Sequence, residues 1–563
     1  MEYLILAAAL LILIVIFFAK GYYDYKRDEK RFREHLKQDY GSPQKRTYQP
    51  EQFTHINKYF EKHANEYALD EITWHDLDMD DIFKQMNYTH SSAGEEYLYY
   101  LLKNPELEEA PLLQREKIIQ FFQKHADERI CYQFIFSKLG KMNKFSVYEY
   151  LEHLDVLGER SNLPHYLSWA FLLFSIGLMF YQFSIGILLF LGILIYNNFS
   201  YFRVKKEIEP YITSFVYILR LMDTYEKLKA HKLPVLEKEF EEMEYANKSL
   251  QSFRRGSYVL MSSGRMTGSG SPLDVFFDFI RMGFHIDLIK FNQMLHIVRG
   301  NLSEIDILLT GFGKIDACIA IGEYREFLKD YSIPFFCEEK KICAENLYHP
   351  LIKNPVKNSF TTQESILITG SNASGKSTFL KTVAINAILA QSIHTCLAQK
   401  YESCFFHICS SMSLKDNVFQ GESYYMVEIK SIKRILDKIA AGTGRVLCFV
   451  DEVLRGTNTI ERIAASSQIM RSLNCENSLC FVATHDVELT HLLEREYHNY
   501  HFQEEVLKDD IIFRYQLLEG RTTTRNAIKL LAIMGFQDSI VQKAEKMAEE
   551  FMKTSKWQML DEE

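Results

Sequence analysis

Between Tyr166 and Tyr196 the chain carries no charged residue. The hydrocarbon core of a bilayer, about 30 Å thick, takes roughly 20 apolar residues as one helix. A single helix over this stretch would overshoot it, whereas two short helices turning near Gln182 fit. A second unbroken apolar run, Tyr3 to Ala19, sits near the lower length limit for a span. Only Met1 and Glu2 precede it, while Lys20, Lys26, Arg27, Lys30, Arg31, Arg33 and Lys37 follow. A cleaved leader would show the reverse, with positive charge first and a small-residue cleavage site after. Basic residues gather on the cytoplasmic side of a span, so the N-terminus is expected outside and everything after Lys20 inside. "RVKKE" at 203–207 marks the same side again, and only a two-helix hairpin returns the chain to the side it left. Three membrane helices in contact with lipid are therefore expected, as in a bacterial inner-membrane protein with cytoplasmic domains. A buried hairpin inside a soluble core is the competing reading.

The rest of the chain changes character once. Residues 51–165 show apolar side chains at three- and four-residue spacing, as in "EEYLYYLLKNPELEE", with Pro105 and Pro111 as punctuation. Residues 199–340 read as long helices, broken at Pro234 and at "SSGRMTGSGSP", a flexible connector at 262–272. From about 341 short apolar runs alternate with helical segments: "SILITG", "RVLCFVDE", "SLCFVATH". That alternation predicts a parallel sheet in an α/β domain. A chain of 563 residues exceeds one core, so several domains are expected. Ten cysteines without a CxxC pair predict buried, reduced thiols in place of zinc ligands or a disulfide framework.

Three motifs carry chemistry. Gly370-x-x-x-x-Gly375-Lys376-Ser377 fits a phosphate-binding loop between a strand and a helix. Glycines let backbone amides converge on phosphates, Lys376 reaches the β- and γ-phosphates, and Ser377 can ligate Mg²⁺. "RVLCFVDE" ends a buried strand at Asp451 and Glu452. Asp451 would hold the Mg²⁺, and Glu452 would orient or deprotonate an attacking water. "LCFVATH" ends the next strand at His485. The spacing suits one strand–helix–strand unit, which sets His485 beside Asp451 at the carboxyl edge of the sheet, where it could sense the γ-phosphate.

These motifs, in this order, resemble the ATPase domain of the DNA mismatch-repair MutS family, a branch of the ABC-type ATPases. "LYHPLI" (347–352) resembles the segment leading into that domain, and "ITGSNASGKSTFLKT" (368–382) its phosphate loop. "DNVFQGESYYMVEIKSIKRIL" (416–436) resembles the signature region, "DEVLRGTNTIE" (451–461) the acidic motif and loop after it, and "ATHDVEL" the histidine switch. "YQLLEGRTTTRNAIKLLAIMGF" (515–536) resembles the dimer-forming segment, and "LDMDDIFKQMNYTHSSAGEEYLYYLLKNPELEEAPLLQREKIIQFF" (77–122) the start of the helical core. The likeness thus runs from 77 to 536, weakly over 199–340. It implies ATP and Mg²⁺ as cofactors, and a nucleotide cradle of Gly370, Ser371, Asn372, Ala373, Ser374, Gly375, Lys376, Ser377 and Thr378. It also implies a homodimer in which each subunit donates Ser423 to its partner's nucleotide. Leu454 stands where the family usually has glycine, and Asn458 replaces a serine, so the loop after Glu452 is expected to differ.

What the pattern omits bears on the substrate. The residues ahead of 77 are expected to leave out the family's mismatch-reading domain, and 262–272 is too short for a DNA clamp. Residues 51–165 hold 12 Lys plus Arg against 21 Asp plus Glu, and 199–340 hold 19 against 20. A sequence-independent grip on DNA needs an excess of cations. The expected architecture is mixed. It comprises a transmembrane helix (1–20), a basic linker (21–50), an all-α core (51–165), a transmembrane hairpin (166–198), a second core or lever part (199–340) and an α/β P-loop ATPase domain (341–563). The expected function is a membrane-anchored ATPase coupled either to DNA binding of the mismatch-repair type or to a membrane or protein partner.

Overall fold

The computed structural model describes residues 2–142, 145–255, 280, 282–371, 374–412, 424–506, 511–522, 527–554, 556–557 and 559. The chain divides into two compact units. The connector expected at 262–272 lies outside the described residues.

The first unit takes in Met1–Ala64, Met86–Tyr100 and Glu116–Phe327 and is helical. Its opening helix, Glu2–Gln38, contains the expected first span, whose side chains lie largely outside the described residues. Two further helices, Leu163–Tyr181 and Phe183–Glu209, are long and apolar enough to cross a membrane. The helix break falls at Gln182, whose extended backbone (φ −144°, ψ 89°) separates them. Their side chains face outward, with Phe174, Phe180 and Leu188 exposed. Gly186 lets the two helices close on each other, since a Cβ there would meet the Met179 backbone nitrogen at 2.5 Å. The second helix does not stop with its apolar run but continues unbroken to Lys229, 47 residues in all, about 70 Å of rod at 1.5 Å per residue. Polar side chains fasten the hairpin's base. Ser168 Oγ donates to Asn197 Oδ1 (2.8 Å), Asn197 Nδ2 to the Gly283 carbonyl (2.8 Å), and the Trp169 indole to the Phe284 carbonyl (2.7 Å).

Elsewhere in this unit buried charges are satisfied locally. Arg325 makes a forked ion pair with Glu116 (2.9 and 2.7 Å), the geometry in which a guanidinium meets a carboxylate best. Asp316, fully buried, accepts from the backbone N–H groups of His90 and Ser91 and from the Ser91 hydroxyl. It thereby satisfies donors at the entry of helix Ser92–Lys103 that would otherwise be orphaned.

The second unit holds Asn65–Gln85, Leu101–Arg115 and Leu328–Glu563. Its larger sheet is built from β4 (Ile366–Thr369), β6 (His407–Ser411), β7 (Val446–Asp451), β8 (Ser478–Ala483), β9 (His498–Val506) and β10 (Ile511–Glu519). They lie in the order β10-β9-β4-β8-β7-β6, with β9–β10 antiparallel and the other neighbours parallel. All residues of β4, β6, β7 and β8 are buried, which is why these strands read as continuous apolar runs. A smaller sheet joins β1 (Phe335–Phe336), β5 (Lys400–Ser403), β2 (Ile342–Leu347) and β3 (Asn358–Thr362) in that order. A short helix from far upstream, Glu71–Asp76, caps β6. Asp76 accepts from Ser410 Oγ (2.7 Å) and the Met412 N–H (2.8 Å).

One expectation fails here. Cys448 and Cys480 are joined in a disulfide, so not all thiols are reduced. The cause is register: β7 and β8 pair in parallel with these two residues directly opposite, a juxtaposition that 32 residues of separation hide. The other cysteines among the described residues are not joined in disulfides.

Candidate functional site

The parallel register carries three strand ends to one edge. Ile368 of β4 and Asp451 of β7 both pair with Ala483 of β8, so the segments after Thr369, Asp451 and Ala483 open on the same side. β4 passes through Gly370 (φ +151°) into the turn and then into helix Lys376–Ile393. Gly375 precedes that helix at φ +107°, a conformation that L side chains avoid. A Cβ there would also press on the Tyr515 ring at 3.0 Å. The sequence-assigned Asn372, Ala373 and Ser423 lie outside the described residues.

Lys376 is buried, and its ammonium donates to the carbonyls of Gly370 (2.8 Å) and Ser371 (2.9 Å). Burial lowers its pKa to about 8, against the pull of Asp451, Glu452 and Glu504. Next to it, Ser377 Oγ donates to Asp451 Oδ2 at 2.5 Å. Glu452 turns at φ +62° with its N–H on the Ala483 carbonyl. Its carboxylate meets His485 Nε2 at 3.0 Å and Arg455 Nε at 2.8 Å. The hydrogen bond from His485 holds the Glu452 carboxyl below its usual range, opposed by partial burial and helped by Arg455. Ser371 Oγ donates to Glu504 Oε2 (2.9 Å), and Ser374 Oγ is buried with no partner among the described residues. Thr378 stands exposed beside them.

These side chains line a cavity of about 670 Å³. Its lining includes Lys376, Ser377, Asp451, Glu452 and His485, together with residues of the 347–358 segment, Arg455, Phe502 and Tyr515. Most of the sequence-assigned residues are therefore brought together around one volume. Ser377 and Asp451 offer an oxygen pair of the kind Mg²⁺ takes. Lys376, the buried orphan hydroxyl of Ser374 and the turn between them suit an anionic, phosphate-like group.

Two residues that sequence reasoning did not single out belong to this architecture. Arg455 contacts Glu452 and donates through Nη2 to the Asp451 carbonyl (2.9 Å). Glu428, buried on helix Tyr424–Ala441, accepts the Leu454 N–H (2.5 Å) and the Arg455 N–H (3.3 Å) on one oxygen. Burial raises its pKa. A signal for it existed: Glu428 lies on the same stripe as the buried Ile432, Ile435 and Ile439, where an acid needs a reason.

Residues 366–552 match the family model of MutS domain V. Among curated proteins, the DNA mismatch repair protein MutS of Pseudothermotoga lettingae is 28% identical over 257 residues, 43% of this chain and 30% of that protein. MutS of Thermus thermophilus is 29% identical over 219 residues, 38% of this chain and 26% of the relative. The DNA mismatch repair protein MSH3 of Debaryomyces hansenii is 27% identical over 296 residues, 47% and 28%. The chain thus spans less than a third of the length of each.

Proposed function

We propose, for a chain that its C-terminal segment makes a member of the MutS family, the role of an ATPase working as a dimer. The observation that carries it is the cavity on which Lys376, Ser377, Asp451, Glu452 and His485 converge. Lys376 would exchange its two backbone carbonyls for the β- and γ-phosphate oxygens of ATP. Ser377 and Asp451, already in contact, would hold Mg²⁺, which when bound neutralises developing phosphate charge. Glu452 would orient a water and take its proton, while His485 and Arg455 fix the direction of its carboxylate. Gly370 to Thr378 would wrap the phosphates, and Ser423 would be donated across the dimer. Glu452→Gln tests this: ATP should still bind, with hydrolysis reduced at least a hundredfold, and hydrolysis at the wild-type rate would remove Glu452 from the mechanism.

For the output, the relatives' role favours DNA binding of the mismatch-repair type, coupled to the ATP cycle. One observation favours a second reading, a switch acting on a membrane or protein partner. The helix that begins in the apolar hairpin runs without a break to Lys229, so a movement of its soluble part reaches the hairpin as a rigid body. Filter binding of the purified chain to mismatched duplex over a salt series separates the two. Tight, steeply salt-dependent binding supports the DNA reading, and no binding at low salt leaves the switch.

A further inference from the structure

The helical unit contains a second cavity, about 300 Å³, whose walls include Arg46, Tyr48, Glu95, Glu96, Lys141 and Phe145. The hydrogen bonding around it is incomplete in a particular way. Glu96 is buried, 6% exposed, and both its carboxylate oxygens lie within reach of a single donor, the Ser146 hydroxyl (3.0 and 2.9 Å). A hydroxyl has one proton, so among the described residues one oxygen of the ionised Glu96 carboxylate has no donor. Burial accordingly drives the Glu96 pKa well up. Beside it, three donors converge on Glu95 Oε1: Asn87 Nδ2 (2.6 Å), Lys141 Nζ (2.7 Å) and the Tyr48 hydroxyl (3.4 Å). Lys141, which lines the cavity, spends one of its three N–H bonds there, its one hydrogen bond among the described residues.

The walls therefore present spare acceptors and spare donors side by side. With Glu96 ionised, the form that a bound ammonium would favour, the formal charges balance, Arg46 and Lys141 against Glu95 and Glu96. A lone cation or anion entering such a site would bury net charge, which is costly. A molecule carrying one charge of each sign would not. The volume is at the lower end for small-molecule sites, and Tyr48 and Phe145 supply an apolar side.

We propose that this cavity is a binding site for a small zwitterion of the α-amino acid class, its ammonium donating to Glu96 and its carboxylate accepting from Lys141. The full chain in detergent is screened by isothermal titration and thermal melting against each of the twenty L-α-amino acids at about 10 mM. At least one should bind with Kd below about 1 mM, and Glu96→Gln and Lys141→Met should each weaken it at least tenfold. The decarboxylated amine and the desamino acid matching the responder should bind at least tenfold more weakly than the amino acid itself. A readout on the wild-type chain needs no variant: acetylation of Lys141, followed by peptide mass, should slow several-fold when the responder is present. No binder among the twenty, affinity unchanged in both variants, an amine or acid binding as tightly as the amino acid, or unchanged labelling of Lys141 would each overturn the assignment.

Discussion

Leu454 sets two physical effects against each other, and replacing it measures both. Its backbone sits at φ +60°, a left-handed conformation that costs a non-glycine residue roughly 1–2 kcal/mol. Its side chain is 4% exposed, packed in the cluster that includes Ile432, Ile435, Val453 and Met470. Truncating a buried leucine to alanine costs roughly 2–5 kcal/mol, so packing outweighs strain and Leu454→Ala should destabilise the unit by about that much. Leu454→Gly removes the same packing and also the strain, while freeing the unfolded chain by about 0.5–1 kcal/mol. The glycine variant should therefore be more stable than the alanine variant by about 0.5–1 kcal/mol, although glycine is ordinarily the poorer residue. Urea unfolding of the full chain in detergent reads this through Trp74, 1% exposed and in the same unit, after Trp169→Phe and Trp557→Phe. If glycine proves less stable than alanine, the left-handed turn is wrong. If both match wild type within about 0.5 kcal/mol, the burial is wrong.

Glu428→Gln should leave stability unchanged or slightly higher, since the amide oxygen still accepts both loop N–H groups and no buried charge remains. Glu428→Leu should cost about 1–3 kcal/mol by orphaning them, read in the same urea assay. Glu323, whose carboxyl burial pushes up to about 7 although Arg129 and the Gln133 amide oppose it, gives a pH test. Its folded pKa lies above the unfolded value, so its contribution is fully present below about pH 4.3 and is lost as pH rises through 7. Glu323→Gln should stabilise the helical unit at pH 8 by up to roughly 3 kcal/mol, the difference closing toward pH 4.5. Equal gains at both pH values would mean that the carboxyl is not the cause. Non-reducing peptide mapping should show Cys448 and Cys480 in one linked species that reduction separates. Replacing both by alanine should cost about 3–4 kcal/mol for a closed loop of this length, and free alkylation of both thiols in unreduced protein would contradict the bond.

What could be read from the sequence divides along a physical line. Strands buried on both faces announce themselves as apolar runs, and β4, β7 and β8 fall where "SILI", "RVLCFVD" and "SLCFVA" stand. The break at Gln182 was legible because an uncharged run too long for one span has to turn near its middle. Each is decided by neighbours in sequence. Features decided by register or by distant partners were not legible. The Cys448–Cys480 bond depends on two strands pairing with no offset. The cap of Asp76 on β6 joins residues more than 300 positions apart. Arg455 gives no signal in the sequence for the opposite reason, because an arginine beside a turn is ordinary and only the fold sets Glu452 2.8 Å away. Leu454, at a position where the resemblance leads one to expect glycine, shows how the two kinds of information meet. Sequence marks the position as unusual, but only the buried acceptor at Glu428 and the cluster beneath it explain how a leucine holds a glycine's conformation. The loop after Glu452 is fixed by the packing of Leu454 and by the Glu428 acceptor, so its geometry should respond to mutations in helix Tyr424–Ala441 as well as to changes at Leu454.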